Sequence, residues 1–401
     1  MTRPLSVLYF SNSLVRGGAE EHVLTLLRGL DRRKFEPHLV CTPEVAEQIR
    51  RDLPDDVALT PIRLRRPRQV GQAARLAGLL HARRVDVLHS HLFYASLFAS
   101  PIGSFCRVSL IVETPHIREH WRGGVKGHFV VDRAVARFVD RYIAVSRANA
   151  QYLIQDKRLP REKITVIHNG CDLSRFDPST PAPAGLRAQL GIRADDPILL
   201  VAGRLEPQKG HGILLEALPQ VRAHFPRVRL ICAGEGALRG ELEELARALR
   251  LDDAVRFVGF QRDITPWLAL ADVTVLPSRY EGLPLVAIES LAAGRPMVAT
   301  SVDGTPEVIV HERTGLTVEP GSPDRLALAI CRLLGSPEER ARMATAGRAW
   351  VVEHFDQREQ VRRTEELYLS GFRLPAPTSS GIVRSLDAAR SLPSRGAPER
   401  R

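Results

Sequence analysis

Runs of Val, Ile and Leu alternate with amphipathic stretches along almost the whole chain. Near the start "LSVLYFSN" precedes "GAEEHVLTLLRGL", and "EPHLVCT" precedes another polar helical pattern. "QVGQAARLAGLLHARR", "DVLHSH", "RVSLIVETPH", "YIAVSR" and "KITVIHNG" follow. Apolar runs that end in small or polar residues predict parallel strands covered on both faces. A Pro-rich stretch with little periodicity, residues 173–197, breaks the alternation and predicts a linker. The pattern restarts at "PILLVAGR", with a helix from about Gly210. It continues through "VRLICAGEG", "ALRGELEELARALR", "VRFVGF", "ITPWLALA", "VTVLPS", "LPLVAIESLAAG" and "PMVATSV". After Gly321 the spacing is helical to about Phe372. Residues 373–401, rich in Pro, Ser and Arg, predict a disordered tail.

Two βα arrays around one linker predict an α/β protein with two doubly wound, Rossmann-like domains facing each other across a cleft, residues 1–180 and 181–372. A length of 401 residues agrees, being more than one hydrophobic core serves. In such sheets ligands collect beyond the carboxyl ends of the strands, where loops lead into helix N-termini.

Several stretches at those positions carry candidate chemistry. In "RGGAEEH", Gly17 and Gly18 lie where the first strand turns into a helix, so backbone N–H groups can approach an anion. It is equally a plain tight turn. In "GRLEPQKG", Arg204 and Lys209 are two cations on the loop before a helix, suited to clamping a diphosphate. The glycine and Ser/Thr spacing of a P-loop is missing. "AGEG", with Gly234, and "GF", with Gly259 and Phe260, end strands and fit close approach to a flat base or a phosphate. "ETPH" presents His116 at a strand end, where an imidazole can donate to substrate oxygens. His89 and His91 in "DVLHSH" are a weaker signal, and the three histidines lack zinc-site spacing. In "RYEGLPLVAIES", Glu281 falls in a loop and Glu289 in a helix expected from Leu283, with Pro284 in its first turn. Carboxylates are repelled by a diphosphate and accept O–H bonds well, so hydroxyl-rich groups are the expected partners. A buried ion pair is the plainer alternative.

Charge adds one asymmetry. Residues 1–185 carry 28 Lys and Arg against 18 Asp and Glu, while the remainder carries 29 against 28. A one-sided basic surface suits nucleic acid, an anionic bilayer or an acidic substrate. Nucleic acid is disfavoured, because aromatic residues make up 5 % and no reader motif is visible. The five cysteines show neither metal-ligand nor disulfide spacing, which fits a reducing cytoplasm. "MTRPLSVLYFSN" reads as a first strand rather than a secretory leader. The most apolar long window, 93–112, is interrupted by Pro101, Gly103 and Arg107 and does not read as a membrane span.

Taken together, these residues resemble the retaining glycosyltransferases of family four, which have the GT-B fold. "EGLPLVAIE" matches that family's Glu, seven residues, Glu hallmark. "GRLEPQKG", "AVSR", "HNGCD" and "GTPE" stand in its usual order. The resemblance covers residues 5 to about 372. It implies an N-terminal acceptor domain, a C-terminal domain for the nucleotide-sugar donor, and terminal helices that return to the first domain. It also implies that Arg204 and Lys209 hold the donor diphosphate, with Gly17 and Gly18 beside it. Glu289 would bind the ribose, and Gly234 and Phe260 the nucleoside. Glu281 and His116 would act at the transferred sugar, with Gly282, Leu283 and Pro284 lining its site. The donor expected is a nucleoside-diphosphate sugar, UDP-linked, and neither a metal nor a cofactor is required. The motif often reads Glu-Gly-Phe, and Leu283 here leaves the donor sugar open. A UDP-N-acetylglucosamine 2-epimerase of the same fold is the alternative enzyme. The loops 63–70 and 117–128, "RLRRPRQV" and "IREHWRGGVKGH", are expected to choose the acceptor. Their charge favours a lipid-linked phosphate, or docking on the inner face of the cell membrane.

Overall fold

The computed structural model describes residues 3–13, 16–119 and 129–372. The tail 373–401, and the part of the loop 117–128 beyond Glu119, lie outside the described residues.

Among the described residues thirteen strands form two parallel sheets. The first sheet takes β1 (Leu5–Ser11), β2 (Phe35–Cys41), β3 (Ala58–Pro61), β4 (Val87–His91), β5 (Leu110–Thr114), β6 (Arg141–Ala144) and β7 (Ile164–Val166). The second takes β8 (Ile198–Ala202), β9 (Arg229–Ala233), β10 (Val255–Gly259), β11 (Val273–Leu276), β12 (Met297–Thr300) and β13 (Gly315–Val318). Their orders are 3-2-1-4-5-6-7 and 10-9-8-11-12-13. The protein is thus an α/β chain of two Rossmann-like domains. Each sheet reverses direction of winding once, between β1 and β4 and between β8 and β11. Loops leaving adjacent strands part to opposite faces there and open a crevice.

The strands form where both faces are covered. All seven residues of β1 are buried, with Leu8 and Phe10 packed in a different apolar cluster from Val7 and Tyr9. This is the period of two expected for a strand with helices on each side.

Two sequence expectations change in detail. The Pro-rich segment 173–197 connects the sheets but is not a free tether. Phe176 and Ile192 are buried in the second domain's core, and Arg348 Nη1 donates to the Phe176 carbonyl at 2.6 Å. The helix after β11 spans Leu285–Ala292 and does not start at Leu283. Pro284 is its N-cap, with ψ of 110°, so the chain is still extended there.

The last three helices are Pro323–Gly335, Pro337–His354 and Gln357–Gly371. The last lies against the helix Gly18–Gly29. It completes the first domain's core with Val361, Leu367 and Tyr368.

Candidate active site

Both switch points open into one cleft, and the chemistry on its two walls differs. In the second domain, β8 ends at Ala202 and delivers Arg204 and Lys209. β11 ends at Leu276 and delivers Ser278 and Glu281. Lys209 Nζ lies 2.6 Å from Glu281 Oε1, and Ser278 Oγ donates to the same oxygen at 2.7 Å. The Glu281 N–H donates to Asp303 at 2.9 Å. Glu281 is 5 % exposed, so the plainer of the sequence's two alternatives describes its state here: it is a buried ion pair with Lys209, standing at the switch point. Arg204 bonds Glu206 at 3.0 Å and is more open to solvent than Lys209. Both arms of the expected two-cation clamp are therefore paired with carboxylates, Arg204 in the more solvated position and Lys209 in the more buried one.

Glu289 lies one wall further along, half-buried in a cavity of about 590 Å³ with Arg175, Cys171 and Leu285. Its carboxylate has no hydrogen-bond partner among the described residues. Burial pushes it up to about 7, partly offset by Arg175 and reinforced by Glu21 and Asp263.

In the first domain, β1 delivers Gly17 and Gly18. A Cβ on Gly17 would lie 3.9 Å from Arg204 Nε, and one on Gly18 would lie 3.9 Å from Leu285. The glycine turn thus faces both the cation loop and the start of the Glu289 helix. Its shape is fixed by Glu20, which accepts from the Gly17 N–H at 3.0 Å and from Ser11 Oγ at 2.9 Å. Arg16 beside it pairs with Asp52 at 2.5 Å. Asp52 also pairs with Arg262 of the second domain, an ionic bridge across the cleft.

Three histidines meet at the first switch point. His91 ends β4, His116 follows β5, and His22 comes from the helix Gly18–Gly29. His91 Nδ1 and His116 Nε2 are 3.0 Å apart. The two rings stack with centroids at 5.3 Å, and His22 meets His116 edge-on at 4.9 Å. Burial holds His22 down to about 4 and His91 and His116 well below the usual histidine value. The rings bond and stack on one another, and among the described residues no group of three His, Cys, Asp or Glu is arranged to hold a metal ion. His89 is turned away. It bonds Tyr368 at 2.6 Å and Thr114 at 2.7 Å.

The remaining expected positions serve packing in part. Leu283 packs in the second domain's core, 5 % exposed, and Pro284 is buried too. Gly282 crosses the cleft floor so closely that a Cβ would collide with the His116 carbonyl oxygen. Gly234, at φ 152°, has the same constraint from the Gly203 carbonyl. Phe260 is exposed beside the end of β10.

Three stretches singled out in the sequence turn out to form the joint between the domains. Glu307 of "GTPE" accepts from the N–H groups of Arg147 and Ala148, each at 3.0 Å, and from His168 Nε2 at 2.9 Å. Arg147 and Ala148 open the helix that follows "AVSR", and His168 belongs to "HNGCD". Burial works against this carboxylate, but the bonds from His168 and the two backbone groups hold it below the usual value. A carboxylate on a helix N-terminus is the stabilised arrangement. Asn169 Nδ2 reaches the Leu283 carbonyl at 3.4 Å, and the Gly170 N–H donates to Gln360 at 2.7 Å.

The first half of the chain, residues 16–175, matches the family model described as Glycosyltransferase Family 4. The second, residues 185–350, matches Glycosyl transferases group 1. A glycogen synthase of Mycobacterium tuberculosis is 33 % identical over 77 % of this chain and 75 % of its own length. The chain belongs to these glycosyltransferases. An uncharacterized glycosyltransferase of Methanocaldococcus jannaschii is 28 % identical over 88 % of this chain and 94 % of its own. HepE of Anabaena, solved with UDP-glucose, superposes with a TM-score of 0.81 at 24 % identity, covering 91 % of this chain and all of that one. The superposition establishes the GT-B fold.

Sequence reading of this glycosyltransferase missed His22, Ser278, Glu20, Asp52 and Arg262. His22 carries a faint signal, four residues past Gly18 and so one helical turn inside the cleft. The others sit among ordinary neighbours, and only the fold brings them in. No described helix is long and apolar enough to cross a membrane.

Proposed function

We propose that the enzyme moves a sugar from a nucleoside-diphosphate sugar, UDP-linked, to a hydroxyl of a lipid-linked, polysaccharide or small-molecule acceptor, with net retention at the anomeric carbon. The observation that carries this reading is the Lys209–Glu281 pair at the second switch point, with Arg204 beside it and the His116 loop across the cleft. Arg204, and Lys209 once released, bind the diphosphate together with the Gly17–Gly18 backbone. Glu289, unpartnered and near neutrality in its ordinary state, takes the ribose hydroxyls, and the nucleoside lies toward Gly234 and Phe260. Glu281 and His116 then bracket the sugar, with Gly282 at its floor.

In the transfer, the bond from the anomeric carbon to the diphosphate oxygen breaks and a bond to the acceptor oxygen forms on the same face. The acceptor's proton passes to the departing phosphate oxygen. Negative charge growing on the diphosphate is met by Arg204, Lys209 and the glycine turn, a preorganised set that needs no divalent ion. Positive charge growing at the anomeric carbon is met by Glu281. The basic first domain faces the acceptor and an anionic membrane surface.

A UDP-linked donor is supported by HepE, solved with UDP-glucose, and a lipid-linked acceptor by a GDP-mannose-dependent phosphatidylinositol monomannoside mannosyltransferase of Mycolicibacterium smegmatis, whose donor nucleotide is a different one. Radiolabelled UDP- and GDP-sugars, given with and without a lipid extract and with EDTA, test it. Acceptor-dependent transfer that survives EDTA, with the anomer retained by NMR, is expected. Product released from donor alone would identify an epimerase instead, and loss of turnover to EDTA with rescue by magnesium would refute the metal-free clamp.

A further inference from the structure

The histidine stack holds a constraint that fixes the role of His116. His91 is fully buried. Its Nδ1 bonds His116 Nε2 at 3.0 Å, while its Nε2 is buried without a partner. Between two neutral imidazoles one nitrogen donates and the other accepts. If His116 donated, the His91 proton would sit on Nε2 and leave an orphaned N–H inside the protein. If His91 donates, Nε2 keeps only a bare lone pair. Orphaned buried N–H groups are the rarer case in folded proteins. His91 therefore donates from Nδ1, and the His116 proton is forced onto Nδ1. That atom has no partner among the described residues, and it is not among the buried, sealed polar atoms that include His91 Nε2 and His22 Nε2.

We propose that His91 is a positioning residue that locks His116 as a neutral imidazole with Nδ1–H aimed into the cleft. His116 is thereby a hydrogen-bond donor to a hydroxyl oxygen of the transferred sugar, and neither a general base nor a cation. This rests on the reading that His116 lines the sugar site. The surroundings agree. Burial, and after it the charges His22 and His89 would carry, disfavour a charge on the ring, while His91 stacks against it and His22 meets it edge-on. The second domain approaches with the Gly282 backbone. His22 packs edge-on at 85° and holds the ring plane. His89 cannot substitute for His91, because both its nitrogens are occupied by Tyr368 and Thr114.

The test uses the full chain labelled with 15N-histidine, with long-range proton–nitrogen correlations assigned through His91→Asn and His116→Gln. His116 is expected to show a protonated Nδ1 and a bare Nε2, unchanged from pH 5.5 to 8.5. A proton on Nε2, or titration of the ring within that range, would overturn the proposal. Kinetics provide the second arm. His91→Asp offers only acceptor oxygens and holds a proton on His116 Nε2; with the 15N spectrum of that variant showing Nδ1 bare, kcat should fall by about 10-fold, the upper range for one neutral hydrogen bond. His91→Asn keeps an N–H near the same place and should fall less, with donor KM little changed in both. Equal activity of Asp and wild type would count against the assignment. Should no sugar nucleotide be turned over, the functional reading fails while the NMR arm still decides the tautomer.

Discussion

The two switch points have the same topology and opposite chemistry. At β8/β11 the loops deliver ions: Lys209 against Glu281, Arg204 against Glu206. Around β1/β4 stand imidazole rings: His91 at the end of β4, His22 on the helix after β1 and His116 after the neighbouring β5, with charge disfavoured by burial and, for His91 and His116, by neighbouring histidines. Where a diphosphate departs, cations are needed and must be kept solvated or paired until it arrives. Lys209 is held by a carboxylate that the proposed function sets to work at the sugar. Where a hydroxyl approaches, a fixed charge would compete for water, and a preset neutral donor orients without that cost. The fold supplies two equal crevices, and the few residues after each strand decide what each does.

The comparison breaks most visibly at the point where the two walls touch. Gly282→Ala would push a methyl into the His116 carbonyl, backbone against backbone, with no side chain free to yield. The cost should exceed the ~1–3 kcal/mol usual for overpacking. Loss of most activity and a fall in Tm of several degrees are expected in kinetics and thermal melts. A fully active, equally stable variant would mean that the walls do not meet in this way.

Next comes the ionic wall itself. Glu281→Gln keeps the shape but removes the charge that the proposed function sets against the anomeric carbon. A hydrogen bond to a charged group contributes roughly 1.5–3 kcal/mol, or about 10- to 150-fold in rate. We expect kcat to fall by that factor, with a lower Tm because Lys209 loses its counter-charge. Glu289→Ala should instead raise the donor KM about 10-fold with little change in kcat, since the ribose is unaltered during transfer. If both variants changed kcat alike, the division of labour between the two glutamates would be wrong.

A smaller effect separates a functional carboxylate from a structural one. The Glu289 carboxyl rises from 4.5 to about 7 on folding. Below pH 4.5 it is protonated in both states. As pH rises through 7 the folded state must ionise a poorly solvated group, so its contribution to stability is lost. Glu289→Gln should therefore be the more stable protein at pH 8, by about 1 kcal/mol after allowing for its partial exposure, or ~2–4 °C in Tm. At pH 5 the difference should shrink. Parallel melting curves for wild type and variant from pH 5 to 8 would remove this argument. Glu307, held below its ordinary value by His168 and two N–H groups, should behave oppositely, with its stabilisation lost toward low pH.

The smallest effect concerns the charge difference between the halves. Flotation of the whole protein with anionic vesicles should weaken as salt rises, because exposed charges are screened beyond about 8–10 Å at physiological ionic strength. Equal binding to neutral and anionic vesicles would disprove docking on lipid through the basic domain.

The sequence by itself determined the architecture, because parallel strands covered on both faces leave an unmistakable apolar pattern, as in "PILLVA" and "VTVLPS". It also placed Arg204, Lys209, Glu281 and His116 at strand ends, since a loop's position relative to its strand is local. Even the start of the Glu289 helix was legible to within two residues, with Pro284 marking the spot. What it left open is every relation across the fold. Lys209 and Glu281 are 72 positions apart and share a bond. His22, His91 and His116 lie on three different elements. "AVSR", "HNGCD" and "GTPE" stood out only by their order along the chain, and the fold makes them the joint between domains. No periodicity encodes such meetings. They depend on strand order and on how two sheets face one another, and only tertiary packing sets those.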